Sequence, residues 1–211
     1  MTSLKRTKLR QCTNCLCVIN GVWEWVEECA REAADEEPAM RGILDDVCLS
    51  RNSLATSISA RLARKLSRRD MPRELIEPLI REALADEESI LSQIAHDLIA
   101  IVDRDPACRT PLEPLLFYKG FHAITTYRIS HWLWKHGRTI MALQFQSLAS
   151  EVFAVDIHPA AVIGCGILLD HATSFVVGET AIIRDNVSIL HEVTLGGTGK
   201  EEGDRHPIVE S

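Results

Sequence analysis

Two histidines in the last third of the chain directly follow charged residues, and these residues are suited to acid–base chemistry. His171 follows Asp170, His206 follows Arg205, and a further aspartate, Asp156, opens the segment DIHPAA. The ordinary pKa of histidine, about 6.5, lets an imidazole take a proton from an attacking hydroxyl group near neutral pH. A carboxylate beside the imidazole would fix its tautomer and stabilise the imidazolium, and an arginine fork suits a carboxylate ligand. An isolated histidine is more often a surface residue, so this interpretation depends on the surrounding motifs.

A glycine-rich stretch, GGTGK at residues 196–200, lies between these two places. Such a stretch resembles a loop that cradles phosphate groups. The pattern GxxxxGK[ST] of nucleotide-hydrolysing enzymes is absent, so the sequence argues against nucleotide hydrolysis.

The elements that must position these residues are indicated by a six-residue spacing of apolar side chains. The repeating residues are Ile157, Ile163, Leu169, Phe175, Ala181, Val187 and Val193. Helices repeat every 3.6 residues and strands every 2, so this spacing predicts a β-helix built from short strands and corners. Glycines at 164, 166 and 178 fall near the predicted corners, where tight turns favour them.

Three such hexapeptides predict a triangular coil of about 18 residues. The first coil would cover Ile157–Ser174 and the second Phe175–Glu192, and the third, starting at Val193, would be interrupted by residues 196–204. Because Asp156 and His171 are nearly one coil apart, we expect them on adjacent rungs, about 4.8 Å apart.

Four strings in this region resemble one family. They are DIHPAA (156–161), LDHAT (169–173), TLGGTGK (194–200) and GDRHP (203–207), and together they resemble the serine O-acetyltransferases. These hexapeptide-repeat acyltransferases transfer the acetyl group of acetyl-CoA to L-serine in the first step of cysteine biosynthesis. The resemblance runs from about Val22 onward. It implies an α+β protein with an all-α N-terminal domain followed by a left-handed parallel β-helix.

The resemblance also implies roles for individual residues. His171 matches the general base, Asp156 its orienting carboxylate, Arg205 and His206 the residues that hold the serine carboxylate, and Asp105 and Asp170 the partners of the serine ammonium. Without the family pattern, Asp105 would be interpreted as a helix-end residue before a proline.

Gly196, Gly197 and Thr198 match the stretch that borders the pantetheine slot of coenzyme A. The family uses acetyl-CoA as a co-substrate and holds no permanent cofactor or metal, so none is expected here.

The resemblance further implies an assembly. We expect a homotrimer formed through the β-helix with active sites between neighbouring subunits, paired into a dimer of trimers by the helices, and inhibited by L-cysteine. Family members continue for several further coils and a C-terminal tail that docks on cysteine synthase. We therefore expect this chain to be shortened at its C-terminus and to form no cysteine synthase complex.

Three regions follow from the sequence patterns. Residues 1–21 are predicted to be an extension without fixed structure, 22–153 an α-helical domain with 3–4 spacing of apolar residues, and 154–211 an incomplete β-helix. Cys12, Cys15 and Cys17 form CxxCxC, but no second ligand cluster lies nearby, so no zinc site is expected.

Composition excludes several classes. The net charge of −7 argues against a nucleic-acid surface, and no apolar stretch approaches the roughly 20 residues that span a bilayer. The basic N-terminus lacks the pattern of a secretory signal. Seven cysteines without framework spacing indicate free thiols and a cytoplasmic location.

Two alternatives stay open. The chain could be another hexapeptide acyltransferase, acting on a sugar or an antibiotic, which a substrate panel would separate from a serine enzyme. It could also be an inactive fragment that associates with full-length subunits, which co-purification without activity would indicate.

Overall fold

Residues 15–117 fold into a succession of helices. The structure, a computed structural model, describes residues 15–199 and 203–211, and it divides into the units Met1–Phe117 and Tyr118–Ser211. The helices of the first unit are α1 (Cys15–Glu36), α2 (Arg41–Leu44), α3 (Leu54–Leu66), α4 (Arg73–Asp86), α5 (Glu88–Arg104) and α6 (Leu112–Leu116), with a 3₁₀ turn at Pro38–Met40 and a π-helical turn at Asp45–Leu49.

Apolar stripes and one capped helix start explain this arrangement. Helix α1 packs against α5, and α3 packs against α4, through buried aliphatic side chains. Helix α3 begins at the predicted N-cap, where Ser53 Oγ accepts a hydrogen bond from the backbone N–H of Thr56 at 3.3 Å.

Charged side chains also join the segments of this unit. The two guanidinium nitrogens of Arg73 donate to the two carboxylate oxygens of Asp46, each at 2.9 Å. Arg51 donates to Asp46 at 2.9 Å and to Glu77 at 3.3 Å. Asp46 belongs to the π-helical turn and Arg73 to α4, so these bonds connect two elements that are distant in sequence.

The predicted N-terminal extension is too long. Cys15–Gly21 lie in α1 because Val18 and Ile19 continue its buried apolar stripe. Cys12 lies outside the described residues, and Cys15 and Cys17 are exposed on α1. Within residues 15–199 and 203–211, no group of three or more His, Cys, Asp or Glu side chains could hold a metal ion.

The described residues of the second unit form two helices and eight short strands. The elements are α7 (Lys119–Lys135), α8 (Thr139–Phe153), β1 (Val155–Ile157), β2 (Val162–Ile163), β3 (Leu168–Leu169), β4 (Phe175–Val177), β5 (Ile182–Ile183), β6 (Ser188–Ile189), β7 (Thr194–Leu195) and β8 (Ile208–Val209). All strand pairs are parallel, in the sheets β1-β4-β7, β2-β5-β8 and β3-β6. These are the three faces of the predicted left-handed β-helix, with residues 196–207 interrupting the third coil.

The change from helix to strand and the boundary between the two compact units lie at different positions in the chain. The units divide between Phe117 and Tyr118. Helix α8 ends at Phe153 and β1 begins at Val155. Helices α7 and α8 nevertheless belong to the second unit, because α8 packs on β1 and α7 on β3. Gly120 of α7 approaches the carbonyl of Leu169 so closely that a Cβ would overlap it.

The strand register corrects the predicted coil length. Val155 pairs with Phe175, and Val176 pairs with Thr194, so the first coil has 20 residues and the second 18. The two extra residues lie in the corner 170–174. There His171, Ala172 and Ser174 adopt left-handed backbone angles, with φ of 56°, 61° and 59°.

This longer corner also shifts the phase of the apolar repeat. Ile157 is equivalent to Val177, which then pairs with Leu195. The predicted Phe175, Ala181, Val187 and Val193 occupy a second inward row that begins at Val155, Ala161 and Ile167 in the first coil. The six-residue spacing within each coil is therefore correct, but the single unbroken row is wrong.

In the part of the chain that the structure describes, no helix has the length and apolar content that crossing a membrane requires.

Candidate active site

His171 lies in the long corner that follows β3. Its side chain is 72% exposed, and its Nδ1 is 3.5 Å from Oδ1 of Asp170. The ring of His191, one coil further along, is 5.9 Å away between centroids. The corner is held by backbone bonds from Ala172 to Asp170 and from Thr173 to His171. The left-handed backbone thus presents the imidazole to solvent beside one carboxylate.

Asp156 does not lie beside His171 on the next rung. Asp156 is in the middle of β1, and its neighbour on the following coil is Val176. Its Oδ1 accepts a hydrogen bond from Nε2 of Gln146 on α8 at 2.6 Å. The predicted rung contact is wrong because His171 belongs to the corner before β4 and not to the sheet that contains β1.

Arg205 is held at the corner that follows β4. Its guanidinium forms an ion pair with Oε2 of Glu179 at 2.7 Å, and its backbone N–H donates to Oγ1 of Thr180 at 3.1 Å. The hydrogen bond from Arg205 lowers the pKa of the Glu179 carboxyl, with the nearby His158 also contributing. Arg205 therefore stands beside a fixed negative charge, with its side chain partly exposed.

His206 is held at the same corner by Thr180. Its Nδ1 lies 3.2 Å from the backbone nitrogen of Thr180, which donates, and 2.8 Å from Oγ1 of Thr180. The ring lies over Gly178, where an added Cβ would overlap Cδ2 and Nε2 of the imidazole. Arg205 and His206 are therefore both held at this corner by Thr180.

His158 shares this corner. Its Nδ1 accepts a hydrogen bond from the backbone N–H of Ala160 at 3.1 Å, and its ring meets Trp134 edge-on at 5.1 Å. Burial lowers the pKa of His158, and the charges of Glu179 and Asp156 oppose that shift. We therefore describe two groups in the second unit: a base corner (Asp170 and His171) and an anion corner (His158, Glu179, Thr180, Arg205 and His206).

The remaining predicted residues lie outside both groups. Gly196, Gly197 and Thr198 are exposed at the start of the excursion, where a Cβ on Gly197 would come 2.8 Å from the carbonyl oxygen of Arg205. Asp105 lies in the first unit at the end of α5, and its Oδ1 accepts from the backbone N–H of Ala107 at 2.8 Å. That bond is typical of an aspartate that ends a helix, and the ligand roles of all four residues stay predictions.

Sequence reasoning missed the residues that support this site. Glu179, Thr180 and Gln146 fix Arg205, His206 and Asp156. Positions 179 and 205 are 26 residues apart in the chain, a separation that does not follow from the six-residue repeat. No signal in the sequence therefore relates these two positions.

Comparison with known proteins gives the family. The model of the serine acetyltransferase N-terminal domain matches residues 22–126. A serine acetyltransferase from Salmonella typhimurium is 48% identical over 188 residues, covering 89% of this chain and 69% of that protein. The chain belongs to the serine acetyltransferase family. A probable serine acetyltransferase 4 from Oryza sativa is 50% identical over 189 residues, covering 89% of this chain and 60% of that protein.

Solved serine acetyltransferases share the fold. A truncated apoenzyme superposes with a TM-score of 0.90 at 46% identity, covering 91% of this chain and 80% of that chain. The soybean enzyme complexed with serine has a TM-score of 0.86 at 49% identity, covering 89% and 77%. The Brucella abortus enzyme in complex with coenzyme A has a TM-score of 0.88 at 43% identity, covering 90% and 76%.

Proposed function

We propose that this chain is a serine O-acetyltransferase that moves the acetyl group of acetyl-CoA to the hydroxyl of L-serine. The observation that carries the proposal is the exposed imidazole of His171 beside Asp170. These two residues lie in a chain that is 48% identical to a serine acetyltransferase. The relatives in complex with serine and with coenzyme A support the two substrates.

His171 acts as the general base in this reaction. It takes the hydroxyl proton of serine as the oxygen attacks the acetyl carbon, so that the new C–O bond forms while the proton moves to the ring. The C–S bond of the thioester then breaks, and the imidazolium returns its proton to the departing thiolate as CoA thiol. Asp170, 3.5 Å from the ring, stabilises the imidazolium.

The anion corner binds the serine carboxylate. Arg205 and His206 present N–H donors there, and a charge-assisted bond from an arginine is among the stronger hydrogen bonds in proteins. Asp105 and Asp170 pair with the serine ammonium, while Gly196, Gly197 and Thr198 contact coenzyme A through their backbone. These assignments follow the family motif, residue by residue.

The two groups would meet between neighbouring copies of the chain. The base corner precedes β4 and the anion corner follows it, so the three residues of β4 separate them by about 10 Å, longer than an L-serine molecule. In a threefold trimer, the base corner of one copy faces the anion corner and Asp156 of the next. This arrangement supplies His171 with the orienting carboxylate that its own chain does not place beside it.

We extend the family's regulation and assembly to this chain as well. A relative in complex with cysteine, with a TM-score of 0.87 at 47% identity, supports inhibition by L-cysteine at the serine site. Pairing of trimers into hexamers and a cytoplasmic location are further proposals.

The test is L-serine-dependent release of CoA thiol from acetyl-CoA by the purified chain. We expect His171→Ala to lower kcat at least about 100-fold, because general-base catalysis contributes roughly that much. The matched control is His191→Gln, which changes the neighbouring histidine of the next coil and should retain activity.

Other outcomes would redirect the assignment. Transfer to a sugar and not to L-serine would indicate another hexapeptide acyltransferase. A folded protein that releases no thiol with any acceptor, but co-purifies with a full-length family member, would indicate an inactive subunit.

A further inference from the structure

The anion corner contains a hydrogen-bond network in which the backbone and the side chain of Thr180 both meet one nitrogen of His206. The backbone N–H of Thr180 points at Nδ1 of His206 at 3.2 Å, and a backbone N–H can only donate. This bond favours Nδ1 of His206 as an acceptor. The neutral ring then carries its single proton on Nε2.

The hydroxyl of Thr180 strengthens the same assignment. The backbone N–H of Arg205 donates to Oγ1 of Thr180 at 3.1 Å, so this oxygen is already an acceptor. Its own proton is free to point at Nδ1 of His206, 2.8 Å away. When Nδ1 is unprotonated, the backbone N–H and the hydroxyl of Thr180 share its single lone pair, and both contacts favour the same tautomer.

The far side of the ring is left for a ligand. Within residues 15–199 and 203–211, the hydrogen bonds of His206 all involve Nδ1, and the ring lies partly exposed over Gly178. Nε2–H is thus a donor without a protein partner among these residues. Arg205 precedes His206 in the chain, and the ion pair with Glu179 holds its guanidinium at the same corner.

We propose that Thr180 is a positioning residue for the serine carboxylate, because it locks His206 in the Nε2–H tautomer next to Arg205. The inference rests on the proposed function for the identity of the ligand, but the tautomer itself belongs to the free protein. The opposite tautomer would turn a lone pair toward the carboxylate and repel it. Thr180 therefore acts on serine binding and leaves the thioester chemistry at His171 unchanged.

Two variants separate the hydroxyl from the shape of the side chain. Thr180→Val keeps the volume and the backbone N–H but removes the hydroxyl, whereas Thr180→Ser keeps the hydroxyl. We expect Thr180→Val to raise the KM for L-serine about 5- to 10-fold, the factor that corresponds to one lost hydrogen bond. The kcat and the KM for acetyl-CoA should stay within about twofold, and Thr180→Ser should resemble the unmodified chain.

Nitrogen NMR of the full chain labelled at histidine reads the tautomer without any substrate. Long-range proton–nitrogen correlations, assigned through their loss in His206→Gln, should show a protonated Nε2 and an unprotonated Nδ1 in the neutral ring. In Thr180→Val, the share of the opposite tautomer should rise.

Each contrary result overturns the inference. A protonated Nδ1 in the unmodified chain contradicts the lock directly, even if Thr180→Val fails to fold. An unchanged serine KM in Thr180→Val, or equal losses in Thr180→Ser or in the KM for acetyl-CoA, would leave Thr180 a packing residue. If the unmodified chain transfers no acetyl group, the proposed function fails, while the NMR measurement still decides whether Thr180 sets the tautomer.

Discussion

At the scale of single residues, the anion corner depends on the missing side chain of Gly178. The imidazole of His206 occupies the volume that a Cβ at this position would need. The φ angle of Gly178 is not in the left-handed region. Glycine is needed at this position because the His206 ring approaches its backbone closely, and not because of a special backbone conformation. An added Cβ at position 178 would contact only the end of the His206 side chain, which can move away without disturbing the coil.

Gly178→Ala should therefore displace the His206 ring while leaving the fold largely intact. We expect the KM for L-serine to rise about tenfold, the factor that corresponds to 1.4 kcal/mol, because one ligand donor is lost. The unfolding midpoint should change little. Initial rates at varied serine, with thermal unfolding in parallel, check this. Gly42→Ala is the control, since an added Cβ there meets nothing within 4 Å, and a serine KM that is equally unaffected in both variants would contradict the prediction.

At the scale of elements, hydrogen bonds between Asp46 and Arg73 connect the π-helical turn to α4 in the first unit. The hydrogen bonds from Arg73 lower the pKa of the Asp46 carboxyl, with further help from Arg51. Because the pKa of Asp46 is lower in the folded state, its carboxylate contributes fully to the free energy of unfolding at pH values above its pKa in the unfolded chain. That contribution is lost as the pH falls through the folded value.

Asp46→Asn should destabilise the chain at pH 7 by about 1–3 kcal/mol, because charge-assisted bonds to two arginines are weakened. The difference from the unmodified chain should shrink toward acid pH, as Asp46 itself becomes protonated. Denaturant unfolding between neutral pH and pH 3 measures both effects. Asp45→Asn is the matched control, since its pairing with Arg41 at 3.8 Å is exposed and is worth little. A pH-independent difference for Asp46→Asn would show that packing, and not charge, is responsible.

The same scale shows how far sequence determines this fold. The β-helix was predictable because each strand sends an apolar side chain inward at a spacing that no other element sustains. The register was not, because the longer corner uses left-handed angles at His171, Ala172 and Ser174. Left-handed geometry is normally signalled by glycine or asparagine, as at Asn186, and alanine and serine give no such signal. Motifs identified His171, Arg205 and His206, whereas Glu179 and Thr180 required the folded corner.

At the scale of the whole molecule, the placement of the two groups at opposite ends of β4 argues for a site shared between copies. A single chain keeps His171 and Arg205 apart, and the ion pair with Glu179 holds Arg205 at its own corner. In a cyclic assembly the same two different surfaces meet at each interface, so the base corner of one copy can face the anion corner of its neighbour.

Mixing two inactive variants tests this arrangement. His171→Ala lacks the base and Arg205→Ala lacks the carboxylate donor, so each should be nearly inactive alone. Co-expressed with different tags and purified as mixed trimers, they should recover about one third of the activity. In every mixed trimer, one of the three interfaces joins an intact His171 to an intact Arg205. The control pair, His171→Ala with Asp170→Ala, damages the same group in both copies and should recover nothing. Recovery in neither pair, from an unmodified chain that is active, would place the whole site within one copy. The base corner would then have to reach Arg205 around the edge of its own coil.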